Sequence, residues 1–116
     1  MMRAPRSYVA ALFVGLMPQA ALAFPCTFVT ECFEDQPCAP SDFELVVQLE
    51  DQRLSTAFGD LTIVARKGEA ALITLFATGQ GGEYLMSITP EAARFSTHLN
   101  TGPRAVQYLG TCEGAF

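Results

Sequence analysis

Phe24-Pro-Cys-Thr-Phe-Val-Thr-Glu-Cys-Phe-Glu-Asp-Gln-Pro-Cys38 holds three of the four cysteines of this 116-residue chain, and the fourth is Cys112. Whichever of the three pairs with Cys112 ties the start of the domain to its end. Cys26 and Cys32 cannot bond to each other while both lie in one extended strand. Six residues at about 3.3 Å each part them by roughly 20 Å, against a Cα limit near 7 Å for a disulfide. Cys32 and Cys38 flank Phe-Glu-Asp-Gln-Pro, a loop of hairpin size. The expected pairing is therefore Cys26–Cys112 with Cys32–Cys38.

Immediately before this stretch the chain reads as a secretory leader. Arg3 and Arg6 make a basic start, Tyr8 to Met17 is apolar, and Ala21-Leu-Ala23 is a small-x-small cleavage pattern. The apolar run is too short to span a bilayer, which takes roughly 20 residues. Residues 1–23 are thus expected to be a cleaved signal peptide and residues 24–116 a single exported domain, periplasmic or secreted, with no stable membrane anchor after cleavage. Export favours disulfides over zinc as the use of the four cysteines, and no C-x-x-C pair exists.

Loss of Arg3 and Arg6 leaves five of the seven basic residues against all twelve acidic ones, a net charge of −7 where the full chain carries −5. Nucleic acid is excluded as a partner on this reading, because a phosphate backbone needs a basic face. The charge suits a basic protein partner instead.

From Asp42 onward short apolar stretches alternate with turn residues every eight to twelve positions. Phe43, Leu45, Val47 and Leu49 alternate with more polar neighbours, the period-two signature of a half-buried strand. Ala93, Phe95, Thr97 and Leu99 do the same against Arg94, Ser96, His98 and Asn100. Leu61, Ile63 and Ala65 are expected on one face. Turns are expected at Asp51-Gln52, Gly59-Asp60, Lys67-Gly68-Glu69, Gly79–Gly82 (the loosest of them), Thr89-Pro90-Glu91 and Asn100–Pro103. Phe28, Phe43, Phe58, Phe76 and Phe95 fall one per strand and read as core.

Eight short strands with short connections predict antiparallel neighbours. The fold class is all-β: a small up-and-down meander of about eight strands in a closed barrel, with a two-sheet β-sandwich as the alternative, stapled by two disulfides. With an even strand count the two ends of the meander meet at one rim, which puts Cys112 beside Cys26.

No residue set names a reaction. His98, the only histidine, lies on the polar face of its strand. The glycine-rich Gly79–Gly82 precedes a strand rather than the helix N-terminus that phosphate binding uses. Tyr84 beside that tip is a candidate contact for a protein partner. Glu31, Glu34 and Asp35 lack the spacing of a calcium loop. No catalytic, cofactor or metal residue is assigned, and the chain is expected not to be an enzyme. Lys67-Gly-Glu-Ala70 and Thr78-Gly79 with Tyr84 resemble fragments of two stretches of the periplasmic inhibitors of C-type lysozyme, in reversed order and at different spacing. Size, export, paired cysteines and a β-meander are also similar to that family, and no site residue is carried over from it. The expected function is a non-enzymatic exported barrel that binds a macromolecular partner, including inhibition of a cationic enzyme. The alternative is carriage of a small apolar ligand inside the barrel.

Overall fold

The protein is described by a computed structural model over residues 23–102 and 104–116. The expected leader, except for its last residue Ala23, lies outside the described residues, as does Pro103 of the last turn. Eight antiparallel strands form a closed barrel in which each pairs with its sequence neighbours and the last returns to the first. They are β1 (Ala23–Phe33), β2 (Ala39–Gln48), β3 (Arg53–Thr56), β4 (Gly59–Glu69), β5 (Leu72–Gly79), β6 (Gly82–Ile88), β7 (Ala93–Leu99) and β8 (Arg104–Cys112).

Alternation places the inward side chains. Phe24, Cys26 and Phe28 on β1, Leu45 and Val47 on β2, and Leu54 on β3 are buried, as are Leu61 and Ile63 on β4 and Leu75 on β5. Met86, Ile88 and Phe95 complete this interior from β6 and β7. Each strand has a neighbour on both sides, but the short β3 covers only Leu45–Gln48 of β2 and Gly59–Thr62 of β4. Ala39–Glu44 and the far half of β4 are therefore unpaired on that side.

Cys26 lies directly opposite Cys112 in the β1–β8 pairing and is bonded to it. Cys32 is bonded to Cys38 across the β1–β2 connection. Beyond the first disulfide, the Glu113 amide donates to the Pro25 carbonyl at 3.0 Å, so the pairing continues past the end of β8.

Two bulges change what period two predicts. At Val29 the register of β1 shifts against both neighbours. Beyond it Glu31, opposite Tyr108, takes the inward side, while Cys32 lies opposite the exposed Gln107. At Val64 the register of β4 shifts against β5, so Ala65 stands opposite the outward Phe76 and not under Ile63. An extra residue in one strand exchanges its two faces. Gly110 fits the first bulge: a Cβ there would lie 1.9 Å from the Thr27 carbonyl oxygen and 2.6 Å from the Phe28 Cα.

Three connections differ from expectation. Lys67, Gly68 and Glu69 belong to β4, and the turn is Ala70-Ala71, because the Val64 bulge lengthens the strand. The β3–β4 turn falls on Ala57-Phe58 rather than on Gly59-Asp60, with the Thr56 hydroxyl donating to the Gly59 carbonyl at 2.6 Å. The Gly79–Gly82 connection is tight instead of loose. Gly79 pairs with Gly82 across a two-residue loop, and Gln80 and Gly81 take φ of 49° and 79°. Positive φ at both central residues is the hairpin geometry that matches strand twist.

Phe28 and Phe95 are buried and Phe43 packs against the core, but two phenylalanines are not core. Phe76 lies between inward Leu75 and Ala77 and so points out, 44% exposed beside Leu85. Phe58 sits in the β3–β4 turn and is 51% exposed.

Candidate functional site

One end of the barrel carries the β1–β2, β3–β4, β5–β6 and β7–β8 connections. At this end the interior opens into a cavity of about 260 Å³. Its wall is aromatic: Phe43 from β2, Tyr84 from β6, Phe95 from β7, Tyr108 from β8, and Phe58 reaching over from the β3–β4 turn. The rings form a connected set. Phe43 lies 4.8 Å from Tyr108 and 5.9 Å from Phe58 between centroids, and Tyr84 stacks on Phe95 at 5.5 Å. Phe28 closes the floor, stacked on Phe43 at 5.7 Å.

Small residues make room for this wall. Gly82 follows the β5–β6 turn on the inward side, and a Cβ there would stand 3.2 Å from the Tyr84 hydroxyl. The phenol of Tyr84 therefore extends toward the rim. Gly59, at φ 133°, lets the Gln80 side chain fold in from the neighbouring turn, with the amide nitrogen 2.4 Å from where a Cβ would be. Across the wall, the Thr97 hydroxyl donates to the Val106 carbonyl at 3.3 Å, which satisfies the one polar side chain in the buried core.

The two tyrosines are perturbed in the same direction. The Tyr108 phenol is pushed up to about 12, first by burial and then by the carboxylate of Glu31, its cross-strand partner, as hydrogen-bond acceptor and negative charge. Burial, followed by the charge of Glu83, raises Tyr84 above its ordinary value of 10.0. Both phenols stay neutral at physiological pH and keep a polar oxygen in the mouth.

Several carboxylates stand at this end, as Glu50, Asp51, Glu69, Glu91 and Glu113 do at the other. Glu31 turns inward on β1, Glu34 and Asp35 occupy the β1–β2 connection, Asp60 follows the β3–β4 turn and Glu83 the β5–β6 turn. Arg104, at the start of β8, is the cation among them in sequence position. Glu34, at φ 46°, is fixed in place: its amide donates to the Ala105 carbonyl at 3.2 Å and its Oε1 accepts from the Ala105 amide at 3.0 Å. Arg53, Arg66, Lys67 and Arg94 lie toward the other end. Among the described residues the ion pairs are those of Arg53, at 3.7 Å to Asp51 and 3.9 Å to Asp60.

The residues singled out in the sequence separate. His98 is exposed on the outer face of β7, opposite Glu83 and Ala105. Tyr84, beside the β5–β6 turn, is a buried ring of the mouth, 5% exposed. Glu31 departs from Glu34 and Asp35 and faces Tyr108. The Val29 bulge that turns it inward leaves no mark in the spacing of the sequence. Among the described residues no group of three or more His, Cys, Asp or Glu is arranged to hold a metal ion. A wider depression of about 510 Å³ crosses the surface of β1–β3, and of the mouth's rings only Phe43 borders it.

Comparison with known protein families, with curated proteins and with solved structures finds no match to this chain.

Proposed function

We propose that this domain is a non-enzymatic, exported binding protein whose acidic, aromatic mouth engages a basic protein partner, inhibition of a cationic enzyme being one form this takes. The observation that carries the reading is the uneven placement of the basic residues. Glu31, Glu34, Asp35, Asp60 and Glu83 stand at the mouth with Arg104. Toward the opposite end Arg53, Arg66, Lys67 and Arg94 offset Glu50, Asp51, Glu69, Glu91 and Glu113, which leaves the mouth the more negative end. Two disulfides are compatible with an oxidising extracellular or periplasmic location. Cleavage after Ala23 and release as a soluble domain belong to the same proposal.

Carriage of a small apolar ligand has less support. Phe24, Leu54, Leu61, Leu75, Met86 and Ile88 fill the barrel away from the mouth. The remaining 260 Å³ lies below the roughly 300–1,000 Å³ of pockets that enclose drug-sized ligands.

The test is kinetic. Partners retained from an extract of the exported fraction are identified, and their association rate is measured across ionic strength. Steering by exposed charge is screened over about 8 Å at physiological salt, so the on-rate should fall as salt rises. A salt-independent rate, or no saturable partner, overturns the proposal.

A further inference from the structure

The mouth combines two things that a purely apolar pocket does not need: several ring faces and an inward carboxylate. An organic cation within about 6 Å of an aromatic centroid is attracted by the ring quadrupole. Here five rings line one recess, with Phe95 and Tyr108 6.2 Å apart and Phe43 between 4.8 and 5.9 Å from three of the others. A head group seated among them would face more than one ring. Glu31 stands on the inward side of β1 opposite Tyr108, half-buried, and no described cation reaches it within ion-pair distance. An anion would meet Glu31 and the rim carboxylates as like charge. A neutral apolar group would leave the half-buried Glu31 carboxylate with the Tyr108 phenol and no opposite charge to offset its desolvation.

We propose that the mouth is a cation-accepting aromatic recess that takes the arginine or lysine side chain presented by the protein partner. The proposal rests on the partner reading above and names the chemical group that the partner inserts. A cavity of about 260 Å³ suits one long side chain, whose methylenes pack on Phe43, Phe58 and Phe95 while its head meets the tyrosine oxygens. Glu31, outside the cavity lining, is paired to Tyr108 and supplies negative charge from behind that ring.

Two of the three tyrosines of the chain, Tyr84 and Tyr108, line the recess, and there is no tryptophan to mask them. Tyrosine emission of the full chain is therefore titrated with N-acetyl-arginine methylamide and N-acetyl-lysine methylamide. Their neutral counterparts are the citrulline and norleucine amides. At least one cationic amide should perturb emission saturably, and its neutral counterpart should bind at least about fivefold more weakly, within the range of cation–π contributions. Phe58→Ala should weaken the cation, and because Phe58 is half-exposed in a turn the barrel should stay intact, with unchanged far-UV dichroism. Glu31→Gln should weaken the cationic amide and spare the neutral one. Equal or tighter binding of the neutral amides overturns the proposal in favour of an apolar pocket, and no response to either cation overturns it outright. A natural partner that binds Phe58→Ala and Glu31→Gln as well as the unaltered protein sinks the recess and leaves the partner reading standing. Saturable cation binding without any natural partner does the reverse.

Discussion

Tyr108 is where burial, charge and pH meet at one side chain. Its ionisation is displaced from near 10 to about 12 because the phenolate would be desolvated and would face the Glu31 carboxylate. A folded-state value above the unfolded one gives stability that is fully present below pH 10 and is lost as pH rises toward 12. Spectrophotometric titration should show a folded-state tyrosine ionising near 12, and denaturant midpoints should drop between pH 10 and 12. In Glu31→Gln that transition should move toward lower pH without reaching 10, since burial, the larger cause, remains. A Tyr108 that titrates at 10 would contradict the burial of its ring. A Glu31→Gln variant that titrates where the unaltered protein does would contradict the inward placement of Glu31. The alternation of β2 and β7 already put Phe43 and Phe95 on one face with their apolar neighbours, so this part of the mouth was legible residue by residue. Phe58 and Phe76 were not, because counting one phenylalanine per strand ignores which face each occupies. Phe76 falls between two inward residues, and Phe58 falls in a turn.

Among the elements, strand number and most strand positions follow from period two, while the bulges at Val29 and Val64 do not. An extra residue inside a β-rich run resembles its neighbours in composition, and only the partner strand shows that it is unpaired. Three of the missed features trace to these two points: Glu31 turned inward, Ala65 turned outward, and β4 running on through Gly68. One residue does betray the first bulge. Gly110 of β8 faces the place where β1 bends in, and any Cβ there meets main-chain atoms of Thr27 and Phe28, which cannot swing aside as a side-chain tip can. Gly110→Ala should therefore cost at least about 1–3 kcal/mol, the usual range for overpacking an ordered site. The measurement is the denaturant midpoint at constant slope. Gly68→Ala is the control: nothing lies within 4 Å of its added Cβ, and its φ is not positive, so its midpoint should hardly move. Equal losses at the two sites would mean that β1 does not bend against Gly110.

At the scale of the whole molecule, closure and stapling are one design. The even strand count brings β1 beside β8, and Cys26 opposite Cys112 turns that seam into a covalent ring spanning 86 positions of sequence. Cys32–Cys38 spans only 6 positions and closes a local hairpin. In the chain-entropy picture, cross-linking removes freedom from the unfolded ensemble. That stabilises by about 4.6 kcal/mol for the long loop and about 2.4 kcal/mol for the short one. A domain this small buries a limited fraction of its surface and leans on such staples. Replacing Cys26 and Cys112 together by Ala should thus lower the stability more than replacing Cys32 and Cys38 together, by about 2 kcal/mol. Alanine is the better probe than serine, because Cys26 is fully buried and a hydroxyl there would add the cost of an unsatisfied polar group. Burial works in the same direction, since Cys26 packs with the core while Cys32 and Cys38 lie nearer solvent. The short staple has a separate consequence. It closes the connection that carries Glu34 and Asp35, so its removal should leave the barrel folded yet loosen the acidic rim. Partner association should then slow in Cys32→Ala/Cys38→Ala at temperatures where the barrel is still folded, with a smaller drop in melting than in Cys26→Ala/Cys112→Ala. The opposite order of stability losses would mean that β8 holds to β1 without its disulfide and that the ring contributes little to closure.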